Sequence, residues 1–182
     1  LYKKYIKVVN WDENMIREFT DDVFKQRYFD KWLIDKEVLY KAFDEGKIKP
    51  LHPAPECTKD DIKDSTYIVG QMGVEPFIEA LKLDVDVIIA GRAYDPTVFA
   101  ALPILRGFDP GLALHCGKIL ECAAIASTPG SGSDCMFGTI YEDSFVLETL
   151  NPIRKCTTLS VSAHTLYEKT NPYILPGPGG TI

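Results

Sequence analysis

The stretch Asp86–Leu102, DVIIAGRAYDPTVFAAL, constrains the fold more than any other. Its apolar run is continuous rather than alternating, which suits a strand covered on both faces of a parallel sheet. Upstream, VEPFIEALKL carries Val74, Phe77, Ile78 and Leu81 at helical spacing, with Pro76 in the first turn. Before it, STYIV (Ser65–Val69) has strand composition and GQMG is a glycine loop. Strand, loop, helix and strand predict a βαβ unit with a right-handed crossover. The expected class is α/β: a mostly parallel sheet flanked by helices, with a helical N-terminal segment.

The rest of the chain fits one such domain. Residues 1–49 are charged and read as helices, with apolar positions at Ile16, Phe19 and Val23, then at Leu33, Val38, Leu39 and Phe43. Gly46 is the expected stop. PLHPAPEC is a proline-rich connector, and its His52 reads as a surface residue. The α/β core then spans residues 58–182. Thr58 and Asp61 have capping-box spacing. PTVFAALPIL reads as a helix that Pro103 ends or kinks. LALHCGKILECAAIA, Leu112–Ala126, reads as the best helix in the chain. MFGTI and SFVLETL read as strands, and TTLSVSAHTLYEK as a strand running into a helix capped by Ser160 or Ser162. The start at Leu1 and the end in PGPGGTI suggest a piece of a longer protein.

Composition narrows the partners. The net charge is −6 and no Lys/Arg-rich tract stands out, which argues against nucleic acid and anionic membrane. No apolar run approaches the roughly 20 residues that span a bilayer, and the first residues lack a signal-peptide h-region. Five cysteines without a CxxC pair fit free thiols in a reducing cytoplasm.

Three groups of residues suggest chemistry. Arg92 follows the apolar run at its carboxyl end, where open α/β sheets collect ligands. Together with the helix N-terminus beyond it, Arg92 suits a carboxylate or phosphate. Asp95 stands before Pro96 and reads either as the N-cap of that helix or as the partner that holds Arg92.

The second group lies on the 112–126 helix. At about 100° per residue, Leu112, Cys116, Ile119, Leu120, Ala123 and Ala126 share one apolar face. The opposite arc carries His115, Lys118, Glu121 and Cys122, with Leu114 and Ile125. A helix apolar nearly all round is usually buried, so Lys118 and Glu121 need partners. Lys118 next to Cys122 would favour the thiolate. His115 and Cys122 lie roughly 10 Å apart along the helix and cannot both bind one metal ion, so no metal is expected. The competing reading is an internal Lys118–Glu121 ion pair with Cys122 as small core filler.

The third group is PGSGSDC, in which Ser131 and Ser133 sit on a flexible loop able to meet a ligand through its backbone. The loop is neither a P-loop nor a nucleophile elbow, and GQMG is not a dinucleotide fingerprint. His164 reads as structural.

IVGQMGVEPFIEAL, DVIIAGRAYDPTVFAALP, GLALHCGKILECAAIA, PGSGSD and SAHTLYE together resemble the acyclic terpene utilisation (AtuA-like) family. The resemblance runs over roughly residues 45–180, and residues 1–44 fall outside it. It implies an α/β protein of acyl-CoA and carboxylic-acid catabolism, with Gly91, Arg92, Asp95, His115, Glu121 and Cys122 at motif positions but without assigned roles. Tyr94 stands where many relatives have Cys or Thr.

The expectation is therefore a cytoplasmic catabolic enzyme acting on a carboxylic acid or acyl-CoA, of lyase, hydratase or isomerase type, with its cofactor unknown. Arg92 and Asp95, with Ser131 and Ser133, would bind the substrate. His115, Lys118, Glu121 and Cys122 would carry the chemistry. The alternative is a non-catalytic subunit that supports a partner enzyme; a homo-oligomer fits either reading.

Overall fold

The computed structural model describes residues 34–50, 54–68, 70–83, 85–167, 169, 171–177 and 180–182. Its elements in chain order are α1 (Lys36–Asp44), α2 (Lys59–Asp64), α3 (Glu75–Leu81), α4 (Thr97–Leu105), α5 (Pro110–Leu120), β1 (Ser127–Thr128), β2 (Met136–Ile140), β3 (Phe145–Thr149), β4 (Lys155–Cys156), α6 (Thr158–Thr165), β5 (Pro176–Gly177) and β6 (Gly180–Thr181). They fall into two compact units. The first runs to Met72 and includes Lys82–Arg92; the second comprises Gly73–Leu81 and Ala93–Ile182.

In the first unit, local signals set both described helices. Asp35 caps α1 by accepting from the Glu37 N–H. The helix gives way at Gly46, whose φ of +67° costs glycine little and other residues more. Thr58 and Asp61 form a capping box at the start of α2, each side chain accepting from the other's backbone N–H. Ile62 is the buried residue of α2. The expected N-terminal helical positions Ile16, Phe19, Val23 and Leu33, and His52, lie outside the described residues.

The second unit is built on α5. Asp109 caps it through the Leu112 N–H, with Pro110 as its first residue. α4 packs on one side of α5 and the β2–β3 hairpin on another, and α3 leans on α4. α4 approaches so closely that a Cβ at Gly117 would stand 2.6 Å from the Pro96 carbonyl oxygen. Val74, Ala100, Ala113 and Leu114 form the core, with Ile78, Tyr94, Ile104, Ile140 and Ile182 packed against them. β2 and β3 pair in register from Met136–Thr149 to Ile140–Phe145. β1 pairs with β4, and β5 with β6.

These pairings overturn the expected fold class. Among the described residues there are six helices and three two-stranded sheets, all antiparallel; the mostly parallel sheet and its βαβ crossover are absent. The 86–91 run is not a strand, and Val87 and Ile89 are 43% and 54% exposed. Tyr67 and Ile68 of the other expected strand are likewise outside any ladder. Apolar composition supplies what a buried strand needs, but a strand exists only where a neighbour accepts its backbone bonds. Among the described residues, the backbone bonds from these segments to other chain are isolated ones, Ile34 N–H to Ile68 O and Met72 N–H to Arg92 O.

Four local expectations also change. Asp95 does not cap α4: the N-cap position is Pro96, without a side-chain bond. Pro103 neither ends nor interrupts α4, because it sits in the last turn and the helix closes at Leu105. α5 ends at Leu120 rather than continuing to Ala126, and Ala123 takes φ +56° in the turn that follows. At α6 the cap is Thr157, with Ser160 as the reciprocal partner of a capping box.

Candidate functional site

The polar stripe of α5 forms a cluster with residues from distant parts of the second unit. Lys118 donates to Glu121 Oε1 at 2.5 Å, and their side chains are only 14% and 9% exposed. The pair closes the last turn of α5, at the i, i+3 spacing where helical side chains meet. Its enclosure makes it costly to break, because either charge alone would be left poorly solvated.

His115 stands one turn back and is half-buried. Its Nε2 lies 3.4 Å from the Thr165 hydroxyl at the end of α6. That hydroxyl already donates its proton to the Val161 carbonyl at 3.0 Å, so it can only accept from His115. If the neutral ring donates to this hydroxyl, its proton is on Nε2 and Nδ1 is the basic nitrogen. Phe145 of β3 fixes the ring by an edge-to-face contact, with centroids 5.2 Å apart. Burial, then the Lys169 ammonium, then His164 lower the His115 pKa below the ordinary histidine value.

The surrounding groups were not selected by helical spacing. His164, buried on α6, acts on His115, and its ring lies 5.7 Å from that of Tyr167. Lys169 is lowered below the usual lysine range by burial and by Lys118. The Tyr94 hydroxyl is raised by burial, against the Lys118 cation and with the Glu121 and Asp95 carboxylates. His115, Lys118, Glu121, His164, Lys169 and Tyr94 thus share one electrostatic neighbourhood. It joins the loop before α4, the stripe of α5 and the end of α6. In the sequence it is visible only as the α5 stripe, because the other members come from segments about 20 to 50 positions away.

The turn after α5 adds strain beside the cluster. An alanine at positive φ costs on the order of 1–2 kcal/mol, and such residues concentrate at functional sites. Cys122 sits in this turn, partly exposed. Cys116 is on the opposite face, 1% exposed, and burial pushes its thiol up to about 11. Cys135 is the exposed thiol.

The other residues expected in a site are placed differently. Arg92 belongs to the first unit, where it is exposed and its carbonyl accepts from the Met72 N–H. Asp95 belongs to the second unit and acts electrostatically on Tyr94. Ser131 and Ser133 lie on a pinned loop. Arg154 donates through Nε to Asp134 and through a terminal nitrogen to the Pro129 carbonyl, and Asn151 donates to Asp134 at 2.9 Å. Those bonds hold the Asp134 carboxyl below its usual range. Ser131 accepts from the Ser133 N–H at 3.1 Å and its backbone bridges Ala124, so the loop is tied at both ends.

No family model, curated protein or solved structure matches this chain significantly. Among the described residues, no helix is long and apolar enough to cross a membrane.

Proposed function

We propose that the cluster is the proton-handling centre of a cytoplasmic catabolic enzyme acting on a carboxylic acid or its coenzyme A thioester. The observation that carries this reading is the setting of His115: its pKa is lowered by burial, by the partly buried Lys169 and by His164, and its Nε2 lies against the Thr165 hydroxyl. A base of lowered pKa is unprotonated at neutral pH and ready to accept a proton.

In this reading, His115 Nδ1 removes a proton from the carbon beside the substrate carbonyl. The negative charge that develops on the carbonyl oxygen is offset by the Lys169 and Lys118 ammonium groups. Tyr94, kept protonated by burial, is the donor for the return step; His115 then releases its extra proton to solvent and Tyr94 takes one back from solvent. Removing and returning protons next to a carbonyl is the step shared by lyases, hydratases and isomerases of such acids. The resemblance to the acyclic terpene utilisation family points to the same substrate class. Five free thiols suit a reducing compartment.

The test is solvent deuterium exchange at the α-carbon of short acyl-CoA thioesters, followed by NMR. The wild-type chain should exchange the α-proton, and His115→Asn should slow exchange by about 100-fold or more. Equal exchange in both proteins, or none in the wild type across short acyl-CoAs that bind, would reject the reading.

A further inference from the structure

A concavity lies on the face of α5 opposite the His115–Lys118 stripe. It is a groove of about 510 Å³ between α4, α5 and β2. Phe99 and Leu102 of α4, Cys116 and Leu120 of α5, and Phe137 of β2 give it an apolar wall. Phe99, Leu102 and Phe137 remain 43%, 44% and 54% exposed. The volume lies within the roughly 300–1,000 Å³ range of small-molecule sites.

Arg106 is the one charged residue in the lining. It stands at the C-terminus of α4, where a cation is often explained by the last carbonyls. Here the Leu102, Pro103 and Ile104 carbonyls already accept from backbone: Arg106 N–H donates to Leu102 and Pro103, Gly107 N–H to Ile104, and Phe108 N–H to Pro103. Among the described residues, no ion pair or hydrogen bond engages the guanidinium. An apolar trough with one uncommitted, permanently charged fork at its rim selects a ligand with an apolar tail and an anionic head.

We propose that this groove binds a medium-chain carboxylate, its alkyl chain along Phe99, Leu102 and Leu120 and its carboxylate on Arg106. This does not depend on the proton-transfer reading, because the groove uses none of the cluster's side chains.

The experiment is calorimetric titration of the 182-residue chain with decanoate, octanoate, decanol and decyltrimethylammonium, below their micelle concentrations. Decanoate should bind one to one. Octanoate should bind about fifteenfold more weakly, at about fourfold per buried methylene. Arg106→Gln should weaken decanoate by about tenfold and leave decanol unchanged, and Arg106→Lys should recover part of the loss. Arg106 is exposed, so these substitutions leave the core intact. Leu102→Glu should abolish decanoate binding, with circular dichroism confirming that it folds. The proposal is overturned by absence of saturable decanoate binding, by equal affinity for decanoate and decyltrimethylammonium, or by indifference to Arg106→Gln. A dimer that buries the groove and persists in decanoate, seen by sedimentation, would assign the face to a second copy instead.

Discussion

Lys118 and Glu121 are bonded at 2.5 Å on a helix end that leaves each side chain less than a sixth exposed. An enclosed ion pair is a weak source of stability, since desolvation offsets most of the attraction. The pair is therefore either a structural feature of this helix end or part of the proposed proton-handling centre.

Single and paired substitutions separate the two roles. Lys118→Met or Glu121→Leu alone should destabilise the protein by about 3–5 kcal/mol in denaturant unfolding, because each strands a buried charge. The double variant should recover most of that loss. It should also lose α-proton exchange despite its recovered stability. A double variant with normal exchange would return the pair to a purely structural role.

The thiols report which face of α5 is packed. Timed alkylation with mass-spectrometric readout should modify Cys135 first, Cys122 more slowly and Cys116 last. Cys135 is exposed, whereas the Cys116 thiol is buried and pushed up to about 11. Cys116 reacting as fast as Cys135 would mean that β2 does not cover α5 as described.

How much was legible in the sequence follows from the range of the interactions involved. The capping box of Thr58 and Asp61, the Gly46 stop, helix α3 and the strands β2 and β3 were all legible, because each is decided within a few residues; the antiparallel pairing of the two strands was not. The apolar run Asp86–Gly91 was misleading, because its partners had to be supplied by distant chain. The α5 stripe was readable from three- and four-residue spacing. His164, Lys169 and Tyr94 were not, because only folding brings α6 and the loop before α4 to that stripe. The Arg154 clamp on Asp134 was hidden for the same reason, so a loop that composition presents as flexible is tied down.

Stability should depend on pH through His115. Its pKa in the folded state is lowered, so between that value and the ordinary 6.5 the unfolded chain binds more protons. Stability from this group is therefore fully present above about pH 6.5 and is lost as the pH falls through the folded-state pKa. Urea unfolding midpoints should drop on acidification from pH 7 to pH 5, and His115→Asn should reduce that drop. An identical pH profile in the variant would show that His115 is as exposed folded as unfolded.

His115 shares one charged neighbourhood with Lys169 and His164. This is tested most directly by following the His115 ring by NMR as a function of pH, in the wild type, in Lys169→Met and in His164→Gln. Wild-type His115 should titrate below the ordinary 6.5, and its pKa should rise in each variant, more in Lys169→Met. Titration of His115 at the ordinary histidine value, unmoved by either substitution, would contradict it.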